Sequence, residues 1–270
     1  MLRLDVELVN RELAASRTRA QRLIEQGFVR VDGEIITKAS TKVNGSEDIT
    51  VSGDAPHYVS RGAYKLLGAL EAFQPQGLAS PQGRECLDIG ASTGGFTQVL
   101  LENGASRVAA LDVGHGQLAP SIASDPRVVN IEGLNIREAE LSDLPSRPTY
   151  IVSDVAFISL TYVIPVIAKL LGLSLREAHA EASQPSRLTP REDVPVEIVL
   201  LVKPQFEVGK NHLGKNGIVS DPALSEKARN EVCDCARANG FTVCGCITSP
   251  IKGEHGNTEY LLWLRAPQLS

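Results

Sequence analysis

The chain has no uninterrupted apolar run approaching the roughly 18 to 20 residues that span a bilayer, and its first residues, Met1-Leu2-Arg3-Leu4-Asp5, lack an apolar signal core. A cytoplasmic protein without stable membrane association is the expectation. Excess positive charge is also missing. The formal net charge is −5, which argues against coating nucleic acid by bulk attraction and leaves any such affinity to local patches. Aromatic residues are scarce at 4 % and few fall in the first 52 residues, so any contact of that segment with nucleic acid is expected to be led by shape and backbone rather than by base stacking. Cysteine is sparse too, yet four of the five fall into two C-x-C pairs, Cys233/Cys235 and Cys244/Cys246. On a helix, positions i and i+2 point apart, so Cys233 and Cys235 are poorly placed to share one metal ion. Free thiols are expected.

What is present is apolar material for buried cores, 43 % of 270 residues, enough for one large α/β domain and a small one. Residues 1–52 carry eight Lys/Arg and eight Asp/Glu, so this segment is neutral while the remainder carries the whole negative excess. Its pattern reads helix (5–13), helix (17–26, with Ser16 as N-cap and Gly27 closing it), then a hairpin. Strands 28–31 and 34–37 flank Asp32-Gly33, a two-residue turn suited to twisted antiparallel strands, and 47–51 supplies another strand. Residues 53–59 read as a linker, since Gly and Pro punctuate both periodic patterns.

From residue 60 to 270, helices and apolar strands alternate, which signals a doubly wound, largely parallel sheet. The expected strands are 84–89, 106–112, 127–131, 149–154, 196–202, 241–248 and 258–264, the last two forming an antiparallel hairpin at one side of the sheet. Helices are expected at 61–73, 94–103, 116–122, 161–171 and 224–238. The polar, Pro-containing stretch 174–195 reads as a surface insertion.

Leu87-Asp88-Ile89-Gly90-Ala91-Ser92-Thr93-Gly94-Gly95-Phe96 places a strand, a Gly-rich turn and a helix start in succession, so that backbone and helix-terminal N–H groups can approach a ligand in the crevice at the strand ends. The G-x-G-x-x-G spacing of a dinucleotide site is absent. The cofactor-binding candidates are Asp88, Gly90, Ala91, Ser92, Gly94, Gly95 and Phe96. Asp112 ends the next strand, where an acidic side chain can accept from ribose hydroxyls; Asn135 follows the third strand, on the adenine side, and Asp88 is assigned to the amino-acid end. Four further charged residues, Lys65, Asp154, Lys203 and Glu259, stand at strand ends or a helix start. Asp154 and Lys203 terminate apolar strands and so reach the carboxyl edge of the sheet, where ligands bind in this architecture.

Ser60-Arg61-Gly62-Ala63-Tyr64-Lys65-Leu66, the 87–96 stretch, Ser153-Asp154-Val155-Ala156-Phe157-Ile158-Ser159-Leu160, Val202-Lys203-Pro204-Gln205-Phe206-Glu207 and Asn257-Thr258-Glu259-Tyr260 resemble the TlyA family. The resemblance spans nearly the whole chain apart from the insertion. It implies a Rossmann-like class I methyltransferase domain of FtsJ type, S-adenosyl-L-methionine as cofactor, and a small α+β S4-like RNA-binding domain at 1–52. It also implies a Lys-Asp-Lys-Glu tetrad on Lys65, Asp154, Lys203 and Glu259, with Asp154 near the cofactor as well.

The implied activity is methylation of a ribose 2′-hydroxyl, on a cytidine in ribosomal RNA of the large subunit alone or of both. The short chain favours the large subunit. Such a hydroxyl needs its proton removed as the methyl arrives in line, and a lysine made less avid for protons by burial or by a neighbouring cation can be the base. Lys203 is the candidate, with Asp154 orienting it and Lys65 and Glu259 positioning the ribose and balancing charge. Ser-Asp-Val-Ala-Phe stands where an exocyclic-amine methyltransferase would show Asn-Pro-Pro-Tyr or Asp-Pro-Pro-Tyr, which favours ribose over base. RNA contacts are expected from Arg17, Arg19, Arg22 and Arg30, with Lys38 and Lys42 nearby, and from Lys210 and Lys215 in the loop 209–217. A membrane-active haemolysin and a non-catalytic ribosome-assembly protein are the rival readings. The first has no spanning segment or strongly basic amphipathic helix to support it, and the intact tetrad opposes the second.

Overall fold

The computed structural model describes residues 2–14, 17–25, 27–52, 58–173, 195–209, 212–253 and 256–267, the side chains of Thr18, Arg22 and Lys215 excepted. Ser16, most of the expected linker, nearly all of the expected insertion and Lys210 therefore lie outside the described residues. The chain divides into two compact units, residues 1–59 and 60–270.

The first unit runs β1 (Leu2–Arg3), α1 (Leu4–Asn10), α2 (Arg17–Glu25), β2 (Val29–Val31), β3 (Glu34–Ile35), β4 (Lys42–Val43) and β5 (Ile49–Val51). Leu4, Leu8, Ala20, Leu23, Ile24, Val29, Val43 and Ile49 form its core, which fits the i, i+3/i+4 apolar spacing of two short helices on a small sheet. β2 pairs with β3 and β5, and Asp32 (φ 49°) and Gly33 (φ 85°) make the left-handed two-residue turn. α1 stops earlier than the periodicity predicts. Leu13 N–H bonds the Leu8 carbonyl and Glu12 takes φ 59°, a left-handed closure, while Arg11 donates to the Gly45 and Glu47 carbonyls.

The second unit runs α3 (Gly62–Phe73), β6 (Glu85–Ile89), α4 (Gly95–Glu102), β7 (Arg107–Asp112), α5 (Pro120–Ala123), β8 (Val128–Glu132), β9 (Tyr150–Ser153), α6 (Leu160–Leu170), β10 (Glu197–Val202), α7 (Pro204–Glu207), α8 (Pro222–Ala238), β11 (Thr242–Thr248) and β12 (Tyr260–Arg265). The sheet order is β11-β12-β10-β9-β6-β7-β8. β10, β9, β6, β7 and β8 are mutually parallel, and β12 runs antiparallel between β10 and β11. β9 and β10 are buried throughout, as their near-continuous apolar sequences require of strands covered on both faces. The strand order reverses at β6, so the crevice beyond its carboxyl end is where this architecture binds ligands.

The helix expected over 116–122 is a correction. Gly116 is left-handed at φ 63° and its N–H goes to Glu132; α5 begins at Pro120, because proline holds the preceding Ala119 extended (ψ 137°) and favours the first helical position itself. No helix among the described residues is long and apolar enough to cross a membrane.

Candidate active site

Four elements deliver the charged residues to one place. Lys65 lies on α3, Asp154 follows β9, Lys203 follows β10, and Glu259 immediately precedes β12. Lys65 Nζ is 2.6 Å from Glu259 Oε2 and 3.9 Å from Asp154 Oδ2, and Lys203 Nζ is 2.6 Å from Asp154 Oδ1. The result is an alternating string, Glu259–Lys65–Asp154–Lys203. Charges of like sign are kept apart by a charge of opposite sign, the condition under which four ionic groups can be largely withdrawn from water. The short contacts set charge against charge without well-aligned hydrogen bonds. Gly253 makes room for this string: a Cβ there would collide with the Glu259 carboxylate.

The glycine turn adjoins the string. Gly90 has φ 82°, and a Cβ added to it would lie 2.9 Å from the Asp154 carbonyl oxygen, so only glycine lets the end of β6 pass this close to the end of β9. Gly94 is left-handed at φ 91° and starts α4, and a Cβ on Gly95 would strike the Ser60 hydroxyl. Ala91 and Phe96 are buried, and Ser92 sits at φ 48° with its N–H donating to Asp112 Oδ2 at 2.8 Å. Asp112 Oδ1 accepts from Gly114 N–H at 2.8 Å, so this carboxylate joins two loops while each oxygen keeps a lone pair for a hydroxyl. Asn135 accepts from Arg137 N–H and starts a 3₁₀ turn.

Asp88 is fully buried. Its Oδ2 accepts from the Thr97 hydroxyl at 2.6 Å, whereas Oδ1 has no hydrogen-bond partner among the described residues. Burial pushes the carboxyl up to about 7, the Asp154 and Asp112 charges add to this, and the Thr97 hydroxyl partly offsets it. With the folded value above the ordinary 3.8, the neutral form is favoured in the native state, and ionisation costs stability as pH rises from about 4 to about 7. Asp88→Asn should therefore flatten the decline of melting temperature across that interval. Parallel pH curves for the two proteins would show that Asp88 does not titrate there.

Three neighbours carried no assigned role in the sequence reading. Phe157 has φ 64° and is 92 % exposed, an unusual setting for a large apolar side chain at a strand end. Its ring centroid lies 5.2 Å from that of Phe206, over which Lys203 Nζ sits at 5.9 Å. Glu207 Oε1 accepts from Leu160 N–H at 2.9 Å and Oε2 from the Ser159 hydroxyl; burial pushes this carboxyl up, and the two donors pull it back. Asn257 is buried, accepts from Val219 N–H and donates to the Gly217 carbonyl, both at 3.0 Å, tying segment 217–219 to the start of β12. Among these, only exposed Phe157 had a sequence signal available, an aromatic just past a strand-ending aspartate.

In the first unit, buried Asp5 accepts from Arg3, from Arg17 Nε at 3.0 Å and from Gln21 at 2.7 Å, and these donors hold its carboxyl well below the usual range. Arg19 lies on α2, and Arg30 donates to the Gly33 carbonyl. Lys38 and Lys42 are exposed. The side chains of Arg22, Lys210 and Lys215 are outside the described residues. All five cysteines are free thiols, and no group of three or more His, Cys, Asp or Glu able to hold a metal occurs among the described residues.

Residues 58–266 match the FtsJ-like methyltransferase family and residues 2–49 match the S4 domain. Over 264 residues the chain is 45 % identical to the 16S/23S rRNA (cytidine-2′-O)-methyltransferase TlyA of Mycobacterium tuberculosis, a span of 97 % of this chain and 89 % of that protein. It is 33 % identical over 274 residues to the 23S rRNA (cytidine-2′-O)-methyltransferase TlyA of Campylobacter jejuni, covering 94 % and 96 %. Among solved structures, a Streptococcus thermophilus protein described as a hemolysin superposes with a TM-score of 0.70 at 37 % identity, covering 98 % of this chain and 88 % of that one.

Proposed function

The chain belongs to the TlyA family of FtsJ-like methyltransferases, with an S4 domain preceding the enzyme domain, and on that footing we propose that it methylates a cytidine ribose 2′-hydroxyl in ribosomal RNA from S-adenosyl-L-methionine. The observation that carries this reading is the four-residue ionic string meeting the glycine turn where Gly90 passes the Asp154 carbonyl. Large-subunit RNA is the substrate common to the names of both relatives.

The residues fit the cofactor. The Gly90–Phe96 turn, including Ala91, Ser92, Gly94 and Gly95, would cradle it, and Asp112 would accept from its ribose. Asn135 would border its adenine, and the unpartnered Asp88 Oδ1 suits a donor at its amino-acid end. When bound, S-adenosyl-L-methionine supplies a methyl group made electrophilic by a sulfonium. The chain's own work is to place and activate the nucleophile. From its neutral amine form, Lys203 Nζ would accept the hydroxyl proton as the ribose oxygen takes the methyl group in place of that group's bond to sulfur, Asp154 would stabilise the ammonium that results, and Lys65, fixed by Glu259, would hold the ribose. Lys65 contacts two carboxylates of the string and Lys203 one, which leaves Lys203 the more available as base.

Phe157, projecting beside Lys203 and Phe206, supplies a face on which the target base stacks once it leaves the RNA helix. Phe157→Ala should lower kcat/KM for ribosomal RNA by roughly tenfold to a hundredfold, the value of one base stack, with cofactor affinity unchanged. An equal loss of cofactor affinity would remove the stacking role. Arg17, Arg19, Arg22 and Arg30 of the S4 unit and Lys210 and Lys215 of the loop 209–217 would contact phosphates.

The test of the whole reading is transfer of labelled methyl from S-adenosyl-L-methionine to isolated 30S and 50S subunits, followed by mass mapping of the modified nucleotide. A 2′-O-methylcytidine dependent on the enzyme is the expected product. Label on a base, or none on either subunit, would overturn it.

A further inference from the structure

The two segments that carry the Asp154–Lys203 end of the string, 154–160 and 203–207, are joined at three levels. At one end Asp154 meets Lys203 at 2.6 Å. In the middle the Phe157 and Phe206 rings lie 5.2 Å apart. At the far end Glu207 accepts from Leu160 N–H and from the Ser159 hydroxyl. Between these ends Phe157 holds a left-handed backbone, which side-chain-bearing residues rarely adopt and which relaxes unless its surroundings fix it.

Helix capping alone does not explain Glu207. Ser159 already caps α6 by accepting from Thr161 N–H at 3.1 Å, and Glu207 reaches it from 47 residues away in sequence, on the short helix that Lys203 itself precedes. Its carboxylate is partly withdrawn from water, and both of its acceptor bonds are to an ionisable group, so solvent replaces them only in part. Resting on the functional reading above, we propose that Glu207 is a positioning residue: it clamps the Asp154–Ser159 segment to the Lys203–Glu207 segment and so sets the register in which Asp154, Lys203 and the Phe157 face meet the ribose.

Glu207→Ala removes both bonds. Glu207→Gln keeps an acceptor for Leu160 N–H and presents an amide to the Ser159 hydroxyl, which can accept as well as donate. The clamp predicts that the alanine protein, scored per folded molecule, loses about a hundredfold in kcat, the order of effect of displacing reacting groups by an ångström. Its KM for ribosomal RNA and its affinity for S-adenosylhomocysteine stay near the unmodified values, and glutamine restores most of kcat. Exchange of the Leu160 amide with solvent, read by NMR or mass spectrometry, should accelerate at least tenfold in the alanine protein only. A lowered melting temperature with kcat per folded molecule unchanged would reduce Glu207 to a helix cap, and a rise in KM with kcat unchanged would assign it to RNA binding; either overturns the proposal. If the unmodified chain transfers no methyl group, the functional reading fails by itself. The clamp is then judged on Leu160 exchange, where an unchanged rate overturns it.

Discussion

Replacing Lys203 with alanine is expected to lower methyl transfer to ribosomal RNA by about 10² to 10⁴, the range contributed by a positioned general base, while S-adenosylhomocysteine binds as before. The separation of the two readouts follows from the geometry. Lys203 touches Asp154 and the Phe206 ring, whereas the glycine turn is shaped by Gly90, Gly94 and Gly95 and by Asp112 bonding Ser92 N–H. Lys203→Arg sharpens the test. Arginine keeps the positive charge beside Asp154 but does not surrender its proton in this pH range, so a base predicts near-complete loss while a purely electrostatic role predicts partial retention. Unchanged turnover in the alanine protein would take Lys203 out of the chemistry. In that event Lys65, held 2.6 Å from Glu259, becomes the candidate to replace next.

The second large effect is on stability. Glu197 begins β10 fully buried, and it accepts from Trp263 Nε1 at 2.7 Å and from Arg265 Nε and Nη2 at 3.1 and 2.7 Å. Both partners lie on β12, and the antiparallel register places Glu197 opposite Arg265. Arg265 also reaches the Gly77 carbonyl beyond α3, so one carboxylate secures the last strand at the end of the sheet away from the active site. Glu197→Ala would strand an indole N–H and a guanidinium without their acceptor. Breaking a buried pair from one side costs about 3 to 5 kcal/mol, and for a unit of this size the melting temperature should fall by roughly 6 to 20 °C. Glu197→Gln, which preserves an acceptor for the indole, should lose less. A melting temperature within about 2 °C of the unmodified protein would show that solvent or a rearranged Arg265 replaces the carboxylate.

These two residues mark how far sequence reasoning reached. Lys203 was legible because it ends the most apolar strand of the chain, and a charge in that setting points to the carboxyl edge of a parallel sheet. Asp154 was legible in the same way. The alternation of strands with helices likewise conveyed the doubly wound sheet and the terminal hairpin. Glu197 was not legible: it opens an apolar strand as many solvent-facing residues do, and only the pairing of β10 with β12 reveals two donors facing it. Glu207 was equally silent, since its partners lie 47 and 48 residues away and helix periodicity says nothing about which loop a carboxylate will cap. The early end of α1 and the late start of α5 were missed for local reasons. One rests on a left-handed closure at a glutamate, and the other on a proline whose effect on Ala119 outweighed the apolar spacing.

The position of β12 has a bearing on how the enzyme comes into being. This strand is the last of the described strands and yet sits inside the sheet, with β10 on one flank and β11 on the other, and Glu259 stands at its threshold. The first unit has a core of its own, from Leu4 to Ile49, and can mature early in synthesis; the fourth member of the ionic string is translated after the other three. A nascent chain can thus complete its first unit well before the four charges can meet, and a chain cut short of residue 259 would leave Lys65 without its 2.6 Å partner.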